Sequence, residues 1–233
     1  MNSVISFEAT EAEVLREGRL ITILRRSDLD VPHGRYILVA EREDDRSAIV
    51  DLICGRREPT RGRVVIRGEV SFPIGRAAPF SLDVRGDTLV SFLASIYDVP
   101  RSEALALFKA LLPEPEILRR RLDLWPTLPR LQFGMIAGLL RPFDLVVVDG
   151  SLAMTAAPDF MMRWVPLFAE RCQNATLIVS TRQTRLAIDI VEQAIILSDG
   201  QLSFAEKDVA LRPIVRAAPE QASEVIELIE DLP

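Results

Sequence analysis

Pro32-His33-Gly34-Arg35-Tyr36-Ile37-Leu38-Val39-Ala40-Glu41-Arg42-Glu43-Asp44-Asp45-Arg46-Ser47-Ala48-Ile49-Val50-Asp51-Leu52-Ile53-Cys54-Gly55, followed by Glu58-Pro59-Thr60-Arg61-Gly62, is the stretch that decides the fold. The turn Pro32-His33-Gly34 leads into an apolar, β-prone run at Tyr36–Val39. A charged loop follows, and Ala48–Cys54 then reads as a helix that Gly55 stops. The order is strand, polar loop, helix.

Working outward, Val4–Phe7 and Leu20–Leu24 are short strand signals. So are Arg63–Ile66 and Val70–Phe72, which Gly68 separates. From Thr88 to Asp98 the positions Leu89, Phe92, Leu93, Ile96 and Tyr97 recur at helical spacing. Ser102–Leu112 reads as a helix, as do Ile117–Leu124 and Leu131–Leu140. The second half alternates strand and helix: Leu145–Val148, Asp159–Arg171, Thr176–Val179, Thr184–Asp189, Ala194–Leu197. Short, fully apolar strands between helices imply an α/β fold whose mostly parallel sheet is covered on both faces. Glu220–Asp231 carries five acids and no base, with Val225, Ile226, Ile229 and Leu232 on one helical stripe.

Composition narrows the function. Hydrophobic residues at 48% supply a sizeable core, and 34 acids against 28 bases give a net charge of −6. That balance argues against a sequence-independent nucleic-acid binder. Cys54 and Cys172 lie in apolar contexts and read as buried thiols. No Cys/His cluster is present, so no metal site is expected. Without a signal-like N-terminus or an apolar run near ~20 residues, the expected location is cytoplasmic, or peripheral to the inner membrane through a partner.

The quoted stretch resembles the phosphate-loop region of ABC ATPases, down to the Pro-Thr-x-Gly that follows the helix. Val70–Gly75 and Gly86–Tyr97 are similar to the ATPase subunits of capsular and lipopolysaccharide-type polysaccharide exporters. Leu139–Asp149 is similar to the segment that leads into the Walker B aspartate, and Thr176–Ser180 and Ile195–Gly200 to the strands after it. The resemblance implies an ABC-ATPase-like domain over 1–217, with an N-terminal β subdomain and a small helical subdomain at about 81–142. Residues 218–233 form an acidic tail.

The same resemblance implies where catalysis would sit, and the residues there are wrong for it. A phosphate loop uses glycines to wrap N–H groups around phosphate, a Lys for the β/γ phosphates and a hydroxyl for Mg²⁺. Here Ala40 and Asp45 stand at the glycine positions, Arg46 at the lysine, and Ser47 is kept. Glu41, Glu43, Asp44 and Asp45 place four carboxylates where a polyanion would go. One of Asp44 and Asp45 is expected to substitute for the phosphate at a helix starting near Arg46. No aromatic stands at Glu13–Leu15 to stack adenine. No Gln follows Val70, since the first Gln in the chain is Gln132. The signature segment falls on Trp125-Pro126-Thr127-Leu128-Pro129, where proline has no N–H to offer. Asp149 is retained, but Gly150 replaces the general-base Glu, Ala156 the D-loop Asp and Thr181 the switch His. The only histidine, His33, precedes the loop.

The reading is therefore a pseudo-ATPase with no cofactor, acting by docking. Its partners would be a membrane permease subunit, an active ATPase subunit or a second copy. Gly86, Leu89, Phe92, Leu93 and Tyr97 are the docking candidates, with core positions of the helical subdomain as the plainer reading. Arg119-Arg120-Arg121 reads as a solvated face first and a contact with a membrane subunit or anionic headgroups second. A soluble scaffold or regulator with this fold and no transporter role is the alternative. An enzyme with another site is weaker, because a lone His33 offers no nucleophile–His pair.

Overall fold

The computed structural model describes residues 3–76, 83–150, 157–181, 189–208 and 210. They divide into two compact units.

The first unit holds described residues 3–73, 143–150, 174–181, 189–208 and 210. Two long strands, β1 (Ser3–Arg16) and β2 (Arg19–Pro32), form a hairpin, and β4 (Arg61–Ile66) pairs with the other side of β1. The hairpin closes on Glu17 and Gly18, both with positive φ (48° and 76°). This pair of angles belongs to a type I′ turn, whose twist matches that of its strands. The other sheet runs β5-β6-β3-β7-β8, from Leu145–Asp149, Thr176–Ser180, Arg35–Ala40, Gln193–Ser198 and Gln201–Glu206. All its pairs are parallel except β7 with β8. Strands β5 and β6 are buried at every position, which is why they read as unbroken apolar runs. Helix α1 (Glu43–Ile53) packs on β3, β5 and β6.

A polar cluster ties β1, β2 and β4. Ser6 Oγ donates to Asp30 Oδ1 at 2.5 Å, and Arg67, just beyond β4, reaches the Ser3 and Ser6 hydroxyls at 2.6 and 3.0 Å. The Ser6 hydrogen bond, helped by Ser3 and Arg67, holds the Asp30 carboxyl below its ordinary range. A carboxyl whose folded pKa is depressed contributes stability above its unfolded pKa and loses it as pH falls through the folded one. Ser6→Ala is expected to move the Asp30 titration midpoint upward, toward the ordinary carboxylate value, read by NMR of the Asp30 side chain. An unmoved midpoint would count against this assignment.

The second unit holds described residues 74–76, 83–142 and 157–173. It contains α2 (Gly86–Ile96), α3 (Arg101–Leu111), α4 (Thr127–Ala137) and α5 (Pro158–Cys172), with 3-10 turns at Pro115–Arg119 and Leu122–Leu124. Gly86 lets the start of α2 close on its neighbours. A Cβ there would lie 2.5 Å from Trp125 Cζ2 and 3.0 Å from the Leu118 backbone. Phe108 and Phe133 meet at 4.5 Å, and Trp164 Nε1 donates to the Met135 carbonyl.

Several boundaries differ from the sequence reading. Val4–Phe7 and Leu20–Leu24 are parts of 14-residue strands. Val70–Phe72 makes only a bridge, Val70 with Leu145. The basic stretch Ile117–Leu124 is broken into two 3-10 turns, because Arg120 and Arg121 adopt extended backbone. The helix expected over Leu131–Leu140 begins earlier, at Thr127, and ends at Ala137. Pro129 falls in its first turn, where a missing N–H breaks no helical bond. Asp189 lies in a turn, and the rest of Thr184–Asp189 lies outside the described residues, as do Ala156 and the acidic tail.

Candidate functional site

Strand β3 ends at Ala40 and α1 begins at Glu43, so only Glu41 and Arg42 separate them. Arg42 is the extended N-cap residue, with φ −111° and ψ 142°, and no side chain caps the helix. Glu43, Asp44 and Asp45 all lie in the first helical turn. The Arg46 N–H already bonds the Arg42 carbonyl at 3.2 Å. This corrects the expectation that the helix starts near Arg46 with an acid ahead of it. The reason is local: the segment carries no glycine, and three acids favour the positive end of the helix dipole. The chain winds up at once. Phosphate-binding concavities draw on successive N–H groups converging from a non-helical loop, and here that loop is two residues long.

Two ionic arrangements fill the place. Arg16, on the last residue of β1, pairs with Asp45, their side chains 19% and 15% exposed. Arg46 turns inward and is 7% exposed. Its Nε donates to Ser180 Oγ at 2.9 Å, and that hydroxyl donates to Asp149 Oδ1 at 2.7 Å. Asp149 and Ser180 are cross-strand partners at the ends of β5 and β6, both buried. The sequence reading named Arg46 and Asp149 separately; the β5–β6 register and the α1 packing bring them into one chain through Ser180. A buried guanidinium and a buried carboxylate are tolerable because they are hydrogen-bonded together.

The remaining positions fall as follows. Ala40 is half-buried at the end of β3, and Ser47 is half-buried in α1. Thr181 is buried just beyond β6. Gly150 follows β5 with φ +124°, and its N–H bonds the Ser180 carbonyl at 2.9 Å. Side chains rarely adopt that angle, so the general-base position is shaped for glycine. In the second unit Pro126 is the N-cap of α4 and Pro129 lies in its first turn, where its N–H is missing. Trp125 is buried, with Nε1 donating to the Arg120 carbonyl at 3.1 Å.

The docking candidates divide. Gly86, Leu89 and Leu93 are buried within the helical unit, whereas Phe92 is 59% exposed. Tyr97 is half-buried at the C-cap, and its carbonyl accepts from Arg141 at 3.1 Å. Ile96, read from the sequence as part of the helical stripe but not as a docking candidate, is 57% exposed beside Phe92. Arg119 faces Glu116 at 3.2 Å, and Arg121 faces Asp83 and Asp123 at 2.8 and 2.7 Å. That stretch is less cationic than its sequence suggests.

Arg16 and Ser180 were missed. Ser180 follows the apolar run of β6 and is legible only as a strand end. Arg16 lies 29 residues from Asp45, and no local pattern links the two. Among the described residues no group of three or more His, Cys, Asp or Glu is arranged to hold a metal, and no helix is long and apolar enough to cross a membrane.

No protein-family model matches the chain. The polysialic acid transport ATP-binding protein KpsT of Escherichia coli is 21% identical over 187 residues, covering 77% of this chain and 81% of that protein. An ATP-binding subunit of an ABC transporter superposes with a TM-score of 0.70 at 15% identity, over 97% of this chain and all of that one. A dimeric ATP-binding cassette in a post-hydrolysis state with ADP and Pi gives 0.67 at 14%, over 87% and 98%. The chain has the ABC-ATPase fold: an α/β molecule with mixed sheets and a helical unit.

Proposed function

We propose that this chain is a catalytically silent ABC-ATPase-like subunit of a polysaccharide export system, acting by docking on or regulating a partner. One observation carries the silent half of that reading. The strand-to-helix link is two residues long, and the Arg46 that should meet phosphate is committed to Ser180 and Asp149. To admit a nucleotide, the first turn of α1 must unwind, Asp45 must leave Arg16, and Arg46 must leave Ser180. Glu41, Glu43 and Asp44 remain exposed beside the incoming charge. These exposed acids are screened by salt, so their repulsion adds to the wound first turn and the committed Arg46 and does not decide the matter alone.

The export half rests on likeness. The 21% similarity to a polysialic acid transport protein spans most of both chains, and the outward Phe92 and Ile96 of α2 give the helical unit an apolar stripe for a partner.

Calorimetry with ATP and with ADP, with and without Mg²⁺, tests the silent half. The expected result is no heat of binding at millimolar ligand. Micromolar binding by the wild-type chain would overturn it. Co-purification with a membrane permease supports the export half, and a stable soluble complex without membrane association would favour the scaffold reading instead.

A related expectation concerns position 150. Gly150→Glu puts the general-base residue back but is expected to yield no phosphate release from ATP. It also places a side chain at φ +124°, with a strain cost of roughly 1–3 kcal/mol. Turnover above the blank in a coupled phosphate assay would contradict the first expectation, and an unchanged denaturation midpoint the second.

A further inference from the structure

We infer that the Asp45 carboxylate is a built-in counter-ion that blocks this position against anions, with Arg16 as the residue that holds it there. The inference rests on the silent-subunit reading and says how silence is maintained. Arg16 reaches from the end of β1 to the first turn of α1, and its ion pair with Asp45 is more than four-fifths shielded from water. Its Nε is buried without a hydrogen-bond partner among the described residues. A guanidinium has five N–H donors in a fixed fork suited to carboxylate or phosphate, so this one is held against an anion with donor capacity to spare. The acid it meets stands at the second glycine position of the phosphate-loop pattern and presents the charge that a phosphate would.

Other charges face the place. Arg42, Glu41, Glu43 and Asp44 are exposed and therefore screened by salt. Arg46 is committed to Ser180. Only Asp45 is partly buried against Arg16, so its removal leaves a shielded cation in search of an anion. Taking away one member of a buried pair destabilises through the charge left behind, whereas taking away both does not.

The experiment compares the wild type, Asp45→Ser and the double variant Arg16→Met with Asp45→Ser. Thermal melting is followed in pyrophosphate and in sodium chloride of equal ionic strength. Asp45→Ser is expected to melt below the wild type and to be raised by pyrophosphate, saturably, by about 2–4 °C. The wild type and the double variant should show no pyrophosphate-specific rise. If Asp45→Ser is unfolded in chloride, the readout becomes whether pyrophosphate restores its far-UV dichroism. A folded Asp45→Ser that ignores pyrophosphate overturns the inference, and so does an equal rise in the double variant. Either failure leaves the silent-subunit reading standing, because that reading falls only if the wild type binds Mg-ATP.

Discussion

Asp149→Ala is expected to destabilise the protein by about 3–5 kcal/mol, while Asp149→Leu combined with Arg46→Met stays close to wild type. Asp149 is 4% exposed and takes the Ser180 hydroxyl, which in turn takes Arg46 Nε. Removing the acid alone takes away the acceptor at the end of the chain that holds the Arg46 guanidinium, itself 7% exposed. The desolvation of that buried guanidinium is then less well compensated. Replacing both charges with apolar side chains of similar length removes attraction and desolvation together, and the two nearly cancel. A working nucleotide site makes the opposite prediction. An aspartate kept to hold a metal ion is a concentrated negative charge that the apo protein tolerates, so its removal is neutral or stabilising and the loss appears in binding. Urea unfolding followed by far-UV dichroism separates the cases through the midpoint at constant slope. An Asp149→Ala protein as stable as the wild type would remove the structural role given to this chain of hydrogen bonds.

The architecture was legible because it is written locally. Leu145–Val148 is wholly apolar and Thr176–Val179 is apolar after its first residue, so a sheet covered on both faces was the natural home for them. The losses at the site were legible for the opposite reason, as absences: Gln132 is the first glutamine and His33 the sole histidine in the chain. What the sequence hid was conformational or distant. The missing glycines were visible at Ala40 and Asp45, but not that the acids between them would wind into α1 and leave a two-residue link. Helix propensity in a charged stretch competes with turn formation too evenly for either to be chosen by inspection. The partners of Asp45 and Arg46 were hidden as well. Arg16 comes from a hairpin end and Ser180 from a strand 134 residues past Arg46, and only the sheet order sets them side by side. On α2 the apolar spacing identified a helix correctly, yet it could not say that Leu89 and Leu93 point inward while Phe92 and Ile96 point outward. Five apolar positions over eleven residues make a stripe wider than one face.

Gly62→Ala is expected to cost about 2–5 kcal/mol, the sum of two effects that the Pro-Thr-x-Gly motif conceals. The first is conformational. Gly62 has φ +71°, and a left-handed backbone costs a side-chain-bearing residue roughly 1–2 kcal/mol. The second is steric. A Cβ on Gly62 would stand 2.2 Å from the Ala9 carbonyl oxygen and 2.4 Å from that of Glu8. Those atoms are backbone of β1, which cannot swing aside as a long side chain does. Strand β1 is irregular there: its pairing with β4 shifts between Glu8 and Glu11, and Ala9 itself has φ 44°. The Thr60 N–H is spent on the Glu11 carbonyl at 2.7 Å, fixing β4 against the irregularity from the other side. Overpacking of this kind costs typically 1–3 kcal/mol. Gly55→Ala supplies the control, since Gly55 also has positive φ, +64°, but a Cβ there meets nothing within 4 Å. It should lose only the conformational part. Chemical denaturation of the two variants side by side isolates the steric term as their difference. If Gly62→Ala unfolds at the same denaturant concentration as Gly55→Ala, the close approach of β4 to β1 is not what the motif's glycine is for.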